Sequence, residues 1–293
     1  MEQRVRRIFF MWSQGLERAP RVVGACYESW VRQNPGWEVI LLDEANLASY
    51  VVMPAWTRKL SPTQLSDFVR LQVLSKYGGV WADATTYCNW PLDAWLPVES
   101  GFFAFAWPAR GYLFSTWFLY SEPGNCLVGD ALGILSDYWR LARLDRHGLV
   151  RDLFAKVLVR VLRTHPTLTT LWLTYPVRDL LRVYPYFAIH YSFARAILRS
   201  VSAASVWRAT PKVMADGPHQ LQRYGLASPA DTLMRLELAA PSSPVYKLTW
   251  KDAAASVDDA RSTLGILLAE SQLSKDGAPT EREGEWKKAE GDV

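Results

Sequence analysis

The stretch Ser66–Thr85, "SDFVRLQVLSKYGGVWADAT", sets the reading of the whole chain. Its first part is an apolar helix: Leu65, Phe68, Val69, Leu71, Val73, Leu74 and Tyr77 spread around most of the helical wheel, the pattern of a largely buried helix. Just upstream, Ser61, Pro62 and Gln64 of "SPTQ" make a capping box with proline at the first helical position. Gly78-Gly79 supply the left-handed geometry that ends the helix. Val80–Ala82 is then a short apolar strand, and Asp83 follows it directly. Ligands of open α/β sheets bind beyond the carboxyl ends of strands. A carboxylate at that place can coordinate Mg²⁺ or Mn²⁺ carrying a diphosphate, because these ions take oxygen ligands and need few protein carboxylates beside phosphate and water. On extended backbone the Thr85 hydroxyl would share Asp83's side. The alternative is that Asp83 caps a turn and Ala84-Thr85 are ordinary turn residues.

Asp67 and Arg70 stand three apart on the same helix and share a face with Leu71 and Leu74. A buried pair of this kind costs desolvation energy that apolar residues would not. It is either a structural ion pair or a clamp, Asp67 accepting from sugar hydroxyls and Arg70 donating to hydroxyls or phosphate.

Upstream, Val5–Met11 is a β-branched and aromatic strand, and Arg18–Arg32 is a helix with Val22, Val23, Cys26, Trp30 and Val31 at spacings of three and four. "NPG" (Asn34–Gly36) turns into a second strand, Trp37–Leu42, with a short helix from Asp43. This alternation implies an α/β sheet with parallel neighbours. Downstream, Asn89–Pro97 reads as a loop, Phe102–Trp107 and Tyr112–Tyr120 as strands, and Asn125–Leu144 as a helix. Val150–Leu162, Leu168–Leu173 and Tyr191–Leu198 are further helices or aromatic segments, and Val245–Trp250 is a last strand. Beyond Leu273 the chain is polar and charged, the composition of a flexible tail.

At 293 residues and 49% hydrophobic, the chain can bury a substantial core. Cys26, Cys88 and Cys126 lie far apart, without a C-x-x-C pair. His147, His165, His190 and His219 share no metal-ligand spacing, so structural zinc is not expected. Ile8–Trp12 is too short for a signal h-region or a span, and no stretch reaches the roughly 18 apolar residues of a membrane helix, so a cytoplasmic protein is expected. The net charge of +4 hides an asymmetry. Trp139–Arg208 holds eleven Arg and one Lys against three Asp, whereas Lys251–Val293 holds six basic and ten acidic residues. The basic block can face a nucleotide, a polyanion or an anionic membrane, or be a solvated helix surface. Within it "DLLRVYPYFAIHYSFARAILRS" (Asp179–Ser200) is amphipathic and basic. No P-loop, zinc finger or RNP-like motif supports nucleic-acid binding.

"SDFVRLQVLSKYGGVWADAT" resembles the signature of the capsular polysaccharide synthesis protein family, itself related to the DXD-containing sugar-binding glycosyltransferases of family 32 type. The pattern S-D-x-x-R-x-x-x-L-x-x-Y-G-G-x-W-x-D is carried by Ser66, Asp67, Arg70, Leu74, Tyr77, Gly78, Gly79, Trp81 and Asp83, continuing through Ala84 and Thr85. "RIFFMWSQG" (Arg7–Gly15), "SWVRQNPGWEVILLDEAN" (Ser29–Asn46), "PLDAWL" (Pro91–Leu96), "STWFLYSEPGNCLVGDALGILSDYW" (Ser115–Trp139) and "SPVYKLTWK" (Ser243–Lys251) fit the same family, so the resemblance covers roughly residues 4–251.

The resemblance implies a GT-A nucleotide-diphospho-sugar transferase fold: α/β, a mixed central sheet flanked by helices, with an aromatic and basic helical C-terminal half. The domain would be single over 1–250, with 1–120 the nucleotide-sugar half, 121–250 the acceptor half and 251–293 the polar tail. The implied activity is sugar transfer in surface polysaccharide synthesis, retaining and dependent on Mn²⁺ or Mg²⁺, from a nucleotide-diphospho-sugar to a glycan or lipid-linked glycan. Trp12 matches the aromatic that stacks on the base, Asp67 and Arg70 the residues that hold sugar and ribose, and Asp83 the first Asp of D-x-D, which contacts ribose and metal. Thr85 replaces the second Asp, and Lys247 and Trp250 stand where related enzymes close on the diphosphate. A missed general base would lie among Glu122, Asp130 and Asp137. The competing expectation is a non-catalytic binding or assembly protein of a polysaccharide complex. Placement at the inner face of the cell membrane would suit a lipid-linked acceptor.

Overall fold

The computed structural model describes residues 5–107, 112–143, 157–158, 160–162, 164–182, 184–251 and 257–273. Five strands form one mixed sheet: β1 (Arg7–Met11), β2 (Glu38–Leu42), β3 (Gly79–Ala82), β5 (Phe102–Ala106) and β6 (Phe114–Ser121), in the order β2-β1-β3-β6-β5. A second, two-stranded sheet pairs β4 (Thr86–Cys88) with β7 (Val245–Lys247). By its contacts the chain divides into two compact units.

The first unit comprises Met1–Phe9, Glu44–Trp81 and Val98–Ala215. Its organising element is the helix Pro62–Tyr77, which follows the short helices α1 (Arg21–Gln33) and α2 (Leu47–Tyr50) and is labelled α3. The capping box is formed as expected: Ser61 Oγ accepts from Gln64 N at 3.4 Å, and Gln64 Oε1 accepts from Ser61 N at 2.9 Å. Phe68, Val69, Leu71, Val73 and Leu74 are buried, so the wheel without a polar face corresponds to a helix enclosed on most sides. Gly78 (φ 63°) ends it and Gly79 (φ 96°) starts β3. A Cβ on Gly78 would meet Pro123 Cδ at 2.5 Å, and one on Gly79 would meet the Arg7 carbonyl oxygen at 2.5 Å. The two glycines thus let the chain turn where backbone and proline leave no room for a side chain.

β5 and β6 pair antiparallel from Phe102↔Ser121, with an irregularity between Ala104 and Ala106. Phe102, Phe103, Phe105, Phe114 and Phe118 from this hairpin are buried, and Phe105 stacks on Trp117 at 5.2 Å. Asn125 caps the helix Cys126–Leu141, its Oδ1 accepting from Leu127 N at 3.0 Å. That helix packs on α3 and on the helix Ala188–Arg199. Pro166–Leu180 is a succession of short α, 3-10 and π turns. Most of the expected Val150–Leu162 helix lies outside the described residues.

The second unit comprises Phe10–Asp43, Ala82–Pro97 and the chain from Asp216 onward. Here α1 is tied to β4 and to the chain just after it by side chains from the "SWVRQN" stretch. Trp30 Nε1 donates to Thr86 O at 2.8 Å, Ser29 Oγ accepts from Cys88 N at 2.9 Å, and Asn34 Oδ1 accepts from Leu92 N at 2.7 Å. Asn89–Pro97, expected as a loop, contains a one-turn helix α4 (Leu92–Trp95), because Pro91 stands at its N-cap and Leu92 and Trp95 are buried. Residues assigned to the polar tail include a further helix, Thr263–Leu273, which buries Leu264, Leu267 and Leu268. The negative charge of the segment masked that apolar run. Among the described residues no helix is long and apolar enough to cross a membrane.

Candidate functional site

Asp83 follows the last residue of β3, and Trp12 follows the last residue of β1, its neighbour in the sheet. The backbone after β3 is a turn and not the extended segment expected. Thr86 N donates to Asp83 O at 2.8 Å, so Asp83–Thr86 closes a four-residue turn with Asp at its favoured first position. Asp83 and Thr85 are nevertheless brought together, by a third residue. Lys247 Nζ stands 3.1 Å from Asp83 Oδ2 and 2.9 Å from Thr85 Oγ1.

Lys247 is delivered there by β7. The register Thr86↔Lys247 sets it beside the turn, Lys247 N donates to Pro218 O at 2.8 Å, and Leu248 N donates to Thr85 O at 2.7 Å. The strand is shorter than expected, ending at Lys247, so Trp250 lies past it on irregular backbone. Trp250 meets Trp12 edge to face at 5.9 Å. Trp12 N donates to Leu42 O at 3.0 Å, while its buried Nε1 has no hydrogen-bond partner among the described residues. The Lys247 side chain is 15% exposed and that of Asp83 28%.

Cys26 and His219 also sense Lys247. Burial pushes the Cys26 thiol well above the usual range, against a small opposing effect of Lys247. Burial likewise pushes His219 below its ordinary value; the Lys247 and Arg223 charges add to this, opposed by a hydrogen bond with Gln222 and by Asp216. Cys26 and His219 are therefore uncharged near neutral pH. His219 was not legible as a neighbour of this site, because its segment meets Lys247 through the Lys247 N to Pro218 O bond, a contact between residues far apart in the sequence.

Asp67 and Arg70 form their own cluster in the first unit. Arg70 Nη2 lies 3.5 Å from Asp67 Oδ1, and both side chains are buried. Arg70 Nη1 also donates to the Thr116 carbonyl oxygen, and its guanidinium lies 5.0 Å from the Trp81 ring centroid. Thr116 Oγ1 is in turn 3.5 Å from His190 Nε2, and His190 packs against Tyr112 at 4.7 Å. No sequence spacing pointed to Thr116 or His190. Of the three carboxylates expected to include a missed base, Asp137 pairs with Arg140 at 2.8 Å on the surface, Glu122 is exposed and Asp130 is half-buried.

The resemblance places a divalent ion on Asp83, and the donor set there fits such an ion poorly. The cluster offers one carboxylate and one neutral hydroxyl, and one ammonium already engages both. An ion bound to Asp83 Oδ2 would stand within a few ångströms of that ammonium, where like charges repel strongly. Among the described residues, no group of three or more His, Cys, Asp or Glu side chains is arranged to hold a metal.

No curated protein matches the chain. One solved structure, described as PaToxG Glycosyltransferase, aligns at 15% identity and a TM-score of 0.35 over 70% of this chain and 87% of that one, a likeness too weak to carry an argument. The model of the family described as capsular polysaccharide synthesis protein matches residues 1–160, more than half of the 293. The chain belongs to the capsular polysaccharide synthesis protein family.

Proposed function

We propose that this protein is a glycosyltransferase of GT-A type that moves a sugar from a nucleotide-diphospho-sugar to a glycan or lipid-linked glycan during surface polysaccharide synthesis. The observation that carries this reading is the Asp83–Thr85–Lys247 cluster at the carboxyl end of β3, with the Trp12–Trp250 pair in the same unit. An ammonium and a hydroxyl aimed from fixed backbone suit a diphosphate whose charge grows as the glycosidic bond breaks. The anomeric carbon–phosphate oxygen bond breaks with its electron pair going to the departing diphosphate, the anomeric carbon bonds to the acceptor oxygen, and the acceptor proton passes to the diphosphate oxygen. Front-face transfer, with retention, is the stereochemical proposal. Trp12 supplies an aromatic face for the base.

Replacing Asp83 by Ala is the direct test. Release of nucleoside diphosphate from donor sugars should fall at least about 100-fold with the fold retained. Full activity of a folded Asp83→Ala protein would remove this site from the reaction. Nucleotide binding without any turnover would favour the binding or assembly role instead.

A peripheral contact with the inner face of an anionic membrane belongs to the same proposal. In the first unit Leu168, Leu171 and Tyr175, at spacings of three and four, are exposed, while Trp172 and Leu173 between them and Val177 just beyond them are buried. Arg195 reaches this layer, donating to Leu173 O at 3.1 Å, and Arg199, Leu198 and Val201 are exposed beside it in the chain. Apolar and guanidinium groups presented together suit an anionic lipid surface.

A further inference from the structure

We infer that Lys247 is the resident cation of the Asp83 site, so that the diphosphate is bound without a divalent metal. This rests on the sugar-transfer reading and sharpens it. An ammonium carries three N–H donors and no acceptor. Two directions are taken, by Asp83 Oδ2 at 3.1 Å and Thr85 Oγ1 at 2.9 Å. No third partner is present among the described residues, so one donor remains for a phosphate oxygen.

The ammonium is built in. Its residue is paired with Thr86 across β4–β7, its backbone N–H is held by Pro218 O at 2.8 Å, and the next N–H is held by Thr85 O at 2.7 Å. The same backbone that forms the Asp83–Thr86 turn therefore fixes where Lys247 begins. The side chain is mostly buried, which limits screening of its charge. Cys26 and His219, which also sense it, are kept uncharged by burial. Asp83 then acts as a positioning residue for Lys247: its carboxylate balances the cation before the donor arrives and directs the ammonium toward the mouth of the turn. Thr85 serves the same purpose without charge, so the cluster of Asp83, Thr85 and Lys247 carries no net charge before the donor arrives.

Isothermal titration of the full chain with UDP and with GDP, in EDTA and in millimolar Mn²⁺ or Mg²⁺, tests this. At least one nucleotide should bind in EDTA, with a dissociation constant within about threefold of the metal value. Lys247→Gln should weaken binding in EDTA at least tenfold, and Lys247→Arg should retain most of it. Binding that appears only with metal, or tightens more than tenfold with it, overturns the inference and leaves sugar transfer standing. A folded Lys247→Gln protein that binds in EDTA like the parent also overturns it. If neither nucleotide binds at millimolar concentration in either buffer, the inference and the sugar-transfer reading fall together. The EDTA comparison on the unaltered chain keeps the test decisive even if Lys247→Gln does not fold.

Discussion

Arg70 lies over the ring of Trp81, its guanidinium 5.0 Å from the ring centroid, and its Nη2 stands 3.5 Å from Asp67 Oδ1. These three residues of one motif hold a charge inside the first unit by an ion pair, a backbone acceptor at Thr116 and an aromatic face together.

Removing the guanidinium takes the ion pair with Arg70 away from the buried Asp67 carboxylate. Arg70→Ala should lose about 3–5 kcal/mol of stability in urea unfolding. Arg70→Ala combined with Asp67→Ala should recover part of that loss. A double variant less stable than the sum of the two single changes would show that the pair is not coupled in this way.

Gly79→Ala should be more damaging than its size implies. The left-handed backbone alone costs about 1–3 kcal/mol for a non-glycine residue, and the new methyl would stand 2.5 Å from the Arg7 carbonyl oxygen. The expected outcome is a strongly lowered melting temperature or insoluble protein. By contrast, Gly133→Ala meets nothing within 4 Å of its Cβ and should be neutral or stabilising in its helix. Equal melting temperatures for the two variants would remove the steric account.

His219 sets a pH dependence whose direction follows from burial. Its ordinary value is 6.5 and its folded value lies lower, so the unfolded chain binds more protons in the interval between them. The contribution of His219 to stability is whole above pH 6.5 and declines as pH falls through that value toward the folded one. Melting temperatures measured between pH 7.5 and 5.5 should fall more steeply for the parent than for His219→Gln. Parallel curves would acquit His219.

The exposed Leu171 and Tyr175 face gives a vesicle prediction. The protein should float with vesicles containing phosphatidylglycerol, not with phosphatidylcholine alone, and salt should weaken the association. Leu171→Ser with Tyr175→Ser should reduce it severalfold without unfolding, because both side chains are exposed. Flotation that ignores these changes would move the contact elsewhere, and none on either vesicle would remove it.

Much of the local structure was legible in the chain. Ser61, Pro62 and Gln64 announce the start of α3 through groups that bond within three residues of each other, and Gly78-Gly79 announce its end. Phe102–Ala106 and Phe114–Ser121 read as strands because a buried strand is a run of aromatic and β-branched residues. The helix Thr263–Leu273 was not legible, since its apolar face is short and its surroundings are charged. Leu92–Trp95 was hidden by the prolines on either side, although Pro91 fits a helix start.

The sequence by itself determined the family, the capped helix with its glycine stop, and the placing of a carboxylate, Asp83, at the end of an apolar strand. Only the tertiary structure decided what that carboxylate faces. Lys247 is 164 residues away and reaches Asp83 through the pairing of β4 with β7. Caps and glycine stops depend on neighbouring residues and can be read from their order. An ammonium between a carboxylate and a hydroxyl depends on strand register, which only the folded chain fixes.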